Sequence, residues 1–127
     1  MPDLQPGMRS HGSVGQDNLI GGTAINMVTM SADVNGGTTG LLRGALLGTI
    51  TASGQRVLST SAATDGSQNP TEILAEDVPA GTVRRTVVYQ TGEFNVNAMT
   101  FGAGQTAEGV RAALRALNIH LKYNVPA

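Results

Sequence analysis

The chain has no cysteine and no tryptophan, only two Tyr and two Phe, and charged residues fill just 13% of its 127 positions. Each shortage excludes something. Without Cys there are no disulfides and no thiolate metal sites, and the redox compartment is left open. Eight basic residues against nine acidic ones give a formal charge of −1, and only Arg84 and Arg85 are adjacent. Phosphate affinity needs clustered Lys and Arg, so neither nucleic acid nor a membrane is expected as a partner. No basic start and continuous apolar run follows Met1, so no signal peptide is read. The longest uncharged run, Asn18 to Ala32, is broken by Gly21-Gly22 and falls short of the roughly 20 apolar residues of a membrane span. A soluble single domain that folds without staples is expected.

Seventeen glycines and 40% hydrophobic residues do not fit a disordered chain; they fit a β-rich domain with many turns. The predicted fold is mainly β (α+β), with one late helix followed by a short strand and an extended N-terminal arm in front. Residues 1–33 read as that arm leading into a first strand, and residues 34–127 as a single β-rich domain. Pro2, Pro6, Gly7, Gly12 and Gly15 punctuate the arm. "NLIGGTAINMVTMSA" follows without a charge, and reads both as the first core strand and as a segment that could pair with another chain's sheet edge. Residues 34–40 read as a loop, and "LLRGALLGTITASGQRVLSTS" as two strands around Ser53-Gly54. A polar elbow, "AATDGSQNP" at 62–70, precedes a strand in "TEILAEDV". Pro79-Ala80-Gly81 turns the chain into "TVRRTVVYQTGEF", the clearest strand. Gly92 is expected to end or bulge it, with "FNVNAMTF" continuing after the bend.

From Thr106 the period changes. Val110, Ala113, Leu114 and Leu117 recur at i, i+3, i+4 and i+7, predicting a helix with one buried stripe and with Arg111 and Arg115 outside. Thr106 suits the N-cap, Glu108 the first turn, and Asn118 a left-handed stop. "IHLKY" then alternates as a final strand, with Ile119, Leu121 and Tyr123 on one side.

Chemistry is hard to find. "GAGQT" at 102–106 has Gln105 where a phosphate loop needs Lys. His11 and His120 lack companions for a zinc site. Glu72, Glu76 and Asp77 lack the ligand spacing of a calcium loop, and there is no Gly-x-Ser-x-Gly elbow. No enzyme, cofactor or metal is expected.

The order of "LLRGALLGTIT", "AATDGSQNPTEILAEDV", "VVYQTGEFN", "MTF" and "AEGVRAALRALNIHLK" resembles the lambda-type head decoration proteins of tailed bacteriophages over roughly residues 40–123. The resemblance implies a structural virion protein, made in the host cytoplasm. It would bind as a homotrimer to the major capsid protein, on the outer surface of the expanded capsid at local threefold positions, and brace the head against internal DNA pressure. It also implies that the polar elbow serves geometry. Residues 1–33 depart from the family's pattern, so the candidate capsid-binding residues Leu19, Ile20, Ile25, Met27, Val28 and Met30 come from composition alone. The competing readings are another trimeric virion component, such as a fibre base or adhesin, and a small nucleotide-handling enzyme built on "GAGQT".

Overall fold

The computed structural model describes residues 18–123, so residues 1–17 of the expected arm, His11 among them, lie outside the described residues. Seven strands form one sheet: β1 (Ile20–Gly22), β2 (Val28–Asn35), β3 (Leu46–Thr49), β4 (Arg56–Leu58), β5 (Pro70–Leu74), β6 (Val83–Asn95) and β7 (Ile119–Lys122). One helix, α1 (Ala107–Arg115), and a short 3-10 turn at Val96–Ala98 complete the order. The mainly β fold with a late helix and a final strand is as the sequence predicts. Among the described residues no helix is long and apolar enough to cross a membrane.

The pairings β6–β2–β4–β3–β5 close on themselves because β5 also pairs with β6. The joint between β2 and β4 is a single parallel pair, Val34 with Arg56, so the ring has a seam. Inside it lie Ala32, Val34, Leu47, Leu74 and Val88; outside, Leu46, Ile73, Phe94, Ile119 and Leu121 pack against Val110 and Leu114 of α1. Neighbours in a strand point to opposite faces. Leu46-Leu47 and Ile73-Leu74 are therefore apolar doublets because both of their faces are covered.

β6 is the spine. Its first part runs antiparallel to β2 from Val83↔Asn35 to Thr91↔Val28, and its last part pairs with β1 and β7. One extra residue, Gln90, bulges β6 between the pairs Thr29↔Tyr89 and Val28↔Thr91. The bulge thus sits two residues before Gly92, and Gly92 (φ 145°) does not end the strand. After Asn95 the chain does not continue as a strand: the Asn95 side chain accepts the Asn97 N–H and opens the 3-10 turn. β2 extends through Asn35, so the boundary drawn between residues 33 and 34 falls inside a strand.

Thr106 caps α1 by accepting the Gly109 N–H at 3.0 Å, and Asn118 takes the left-handed conformation, φ 64°. The predicted stripe is only partly correct. Ala107, Val110 and Leu114 are buried, whereas Ala113 is exposed and Leu117 is 43% exposed. The helix ends at Arg115, so Leu117 lies beyond it and helical periodicity no longer sets its direction. Arg111 lies over the Tyr123 ring, 5.6 Å from its centroid, and donates to the Leu121 carbonyl, while Arg115 is exposed.

Candidate functional site

The sequence-predicted contact residues do not stay together. Leu19 is 1% exposed and belongs to the core beneath α1, where Ile20 also packs. Met30 turns inward to the ring core and meets Arg56 and Gln90 at the seam. Ile25, Met27 and Val28 remain at the surface, and Met27 and Val28 are nearly half exposed. They flank a shallow depression of about 330 Å³ lined by Ala24, Ile25, Asn26, Val28, Thr91 and Asn118. Gly92 allows this packing, since a Cβ there would meet the Met27 side chain at 3.0 Å. Leu117, 43% exposed, immediately precedes the lining residue Asn118 in the chain.

Two polar side chains of β6 hold this surface in shape. The Glu93 carboxylate, 2% exposed, accepts the Ile25 N–H at 2.8 Å and is ion-paired with Lys122 of β7. The bond and charge of Lys122, with the Ile25 N–H, hold its carboxyl below the usual range. Thr91 accepts the Val28 N–H at 3.0 Å through its hydroxyl and donates to the Asn26 carbonyl.

A second apolar surface lies at the other end of the β2–β6 ribbon, about 23 Å of strand away. It is a groove of about 510 Å³ whose walls include Leu41, Leu42, Leu58, Val78, Pro79 and Arg84. Leu42 is 65% exposed and Val83, beside Arg84, 50%. The loops around it are fastened to each other by Leu41 N–H to Val78 O, Val78 N–H to Leu41 O and Gly36 N–H to Thr82 O. Gly36 is required there, because a Cβ would come 2.2 Å from the Pro79 carbonyl oxygen. Sequence reasoning did not single out this groove; the Leu41-Leu42 doublet beside Gly40 was the available signal.

The polar elbow is tied inward. Asp65 accepts from the Ser67 N–H and hydroxyl, which hold its carboxyl below the usual range. The Ser67 carbonyl accepts from Ser59 Oγ at 2.6 Å. Gln105 donates to Ser59 Oγ and to the Gln68 carbonyl. The residue standing where a phosphate-loop Lys would be is thus a clamp on the elbow. The three acids suspected as a cluster have separate partners: Glu72 pairs with Arg56, Glu76 accepts from Thr86, and Asp77 accepts the Arg43 N–H. His120 lies on β7 opposite Glu93. Among the described residues no group of three or more His, Asp or Glu could hold a metal ion.

The structure is thus a closed ring of strands with a covering helix, paired acids and large apolar side chains exposed near both ends of the β2–β6 ribbon. The family model for the bacteriophage lambda head decoration protein D matches residues 10–121. The chain belongs to that family. The match extends the resemblance seen over 40–123 into the N-terminal segment that carries Met27 and Val28. A comparison with curated proteins finds no match. The family is one of structural, capsid-associated virion proteins and is not a known enzyme family, so a capsid decoration role follows for this decoration protein.

Proposed function

We propose that this decoration protein binds as a homotrimer to the outside of the expanded capsid at local threefold positions. There it contacts the major capsid protein and stabilises the head against internal DNA pressure. The observation that carries the reading is the exposed Met27–Val28 surface, with Ile25 partly buried beside it, held by side-chain bonds at the start of β2. Exposed apolar surface on a rigid frame is what a docking site needs. The groove at Leu41, Leu42 and Val78, at the far end of the same ribbon, supplies a second contact surface for a neighbouring subunit. Three copies of a modest contact on one trimer act together, because after the first binds the others see a high effective concentration. Binding only the expanded shell stabilises that shell by mass action.

The test mixes purified protein with expanded, undecorated heads and images them. Density at the threefold positions is expected. Met27→Asp with Val28→Asp should weaken decoration by about five- to thirtyfold, since docking of two half-exposed apolar side chains is worth on the order of 1–2 kcal/mol. Thermal stability of the free protein should barely move. Heads that stay bare with the wild-type protein, or decorate equally well with the double variant, would remove the reading.

A further inference from the structure

The turn between β1 and β2, residues 23–27, is not paired with any strand among the described residues. Its backbone is satisfied instead by side chains from alternate residues of β6. Glu93 takes the Ile25 N–H at 2.8 Å. Thr91 takes the Val28 N–H and gives its own proton to the Asn26 carbonyl. Gly22 makes room, because a Cβ there would stand 2.6 Å from Glu93 Oε1. A carboxylate with almost no exposed surface has been placed under a surface turn, with Lys122 of β7 balancing its charge. Glu93 lies past the end of the β2–β6 pairing, on the part of β6 that pairs with β1 and β7.

We infer that Thr91 and Glu93 are positioning residues: together they splint the 23–27 turn, so that Met27 and Val28 are already in their docking arrangement before the shell is met. The inference deepens the proposed docking role and rests on it for its consequence. The physical gain is preorganisation. A loop held in its bound shape loses less freedom on association, so a small apolar contact binds more tightly than its area alone would allow. The splint also joins β7, through Lys122 and Glu93, to the docking turn.

Thr91→Val keeps the shape of the side chain and removes both of its bonds; Glu93→Met keeps about its length and removes both the acceptor and the charge. Amide hydrogen exchange on the free protein should show at least about tenfold loss of protection at Val28 in the first variant and at Ile25 in the second. Head binding should weaken by about tenfold or more in both. Thr106→Ala, which loosens the helix cap and leaves the turn untouched, is the control for a general loss of stability. Unchanged protection at both amides would overturn the inference. So would lost protection with unchanged decoration, or a Thr106→Ala variant of equal melting temperature that docks as poorly. Wild-type protein that fails to decorate heads would sink the docking role itself, leaving the exchange data to decide whether the splint exists.

Discussion

The seam between β2 and β4 offers a quantitative test of what holds the ring closed. Only Val34 and Arg56 pair across it, and beside that pair the gap is filled by a charge pair. Arg56 Nε meets Glu72 Oε1 at 2.8 Å and Nη2 meets Oε2 at 3.3 Å, with side chains 19% and 5% exposed. Arg56→Met would leave the Glu72 carboxylate under the surface with one remaining long bond, from Gln90 at 3.4 Å. Removing one partner of a buried pair costs about 3–5 kcal/mol, because the other charge has lost both its solvent and its counter-ion. Against a total stability of about 5–15 kcal/mol, that is a large fraction. At about 4 °C per kcal/mol for a chain of this size, the melting temperature should fall by about 12–20 °C.

The companion variant decides the cause. Arg56→Met with Glu72→Leu replaces the pair by apolar side chains, and such swaps are commonly neutral or stabilising by about 1–4 kcal/mol. The double variant should therefore recover most of the loss, giving a coupling energy of about 3 kcal/mol in a double-mutant cycle. Urea unfolding at fixed protein concentration is the assay, with an unchanged slope showing that the ring still unfolds as one unit. An Arg56→Met loss below about 1 kcal/mol is what a solvated surface pair gives, and it would refute the reasoning. A double variant as damaged as the single one would refute it as well.

Gly48→Ala should destroy the seating of the elbow, because the added Cβ would lie 2.1 Å from the Ser67 carbonyl oxygen; a fall in soluble yield or a loss of more than about 2 kcal/mol is expected. Gly54→Ala, where nothing lies within 4 Å but φ is +77°, should cost only about 1–2 kcal/mol, and equal damage at both positions would contradict the steric argument. Acid should unfold the protein through Asp65, Glu93 and Glu108, whose carboxyls are held low by Ser67, Lys122 and Arg111 respectively. Their folded values lie below the ordinary 3.8 for Asp and 4.5 for Glu, so the unfolded chain binds protons first as pH falls. The stability they contribute is full above that range and lost below it. The urea midpoint should stay level between about pH 7 and 5 and drop below about pH 4, and a level profile down to pH 2.5 would contradict these bonds.

Much of the fold was legible because its signals are local. Thr106, Glu108 and Asn118 announce the ends of α1 within a few residues of their own partners. The Val- and Thr-rich run of β6 and the breakers at Ser53-Gly54 and Pro79-Ala80-Gly81 needed no distant information. Leu117 was misjudged by one step too many along a helical stripe. Gln90, Thr91 and Glu93 were illegible for a deeper reason. In sequence they are polar positions of a strand, indistinguishable from solvated ones, and their partners lie 18 to 68 residues away. The contact residues split for the same cause: an uncharged apolar run shows neither which of its side chains fill the core nor which stay outside. Leu19 went to one and Val28 to the other.

The low charge content takes on a physical meaning once the partners are known. Arg43 bonds Tyr89 and the Ala75 carbonyl, Arg56 holds Glu72, and Lys122 holds Glu93. Several of the few charges therefore fasten strands and loops together, while large apolar side chains stay exposed near both ends of the β2–β6 ribbon. Met27, Val28 and Leu117 lie at one end, Leu42 and Val83 at the other. Scattered single apolar residues on a surface need no explanation, but residues gathered at the two ends of one continuous strand pair do. A strand pair bonded along seven registered positions up to the Gln90 bulge cannot bend locally there without breaking backbone bonds. It can therefore carry force between whatever holds its two ends. On the proposed reading those are the shell and a neighbouring subunit, and the stiffness a trimer lends to the head is set by the ribbon, the seam and the splint. The seam variant supplies the mechanical check. Arg56→Met should leave Met27 and Val28 in place and heads decorated, yet those heads should rupture at a lower temperature than heads carrying the wild-type protein.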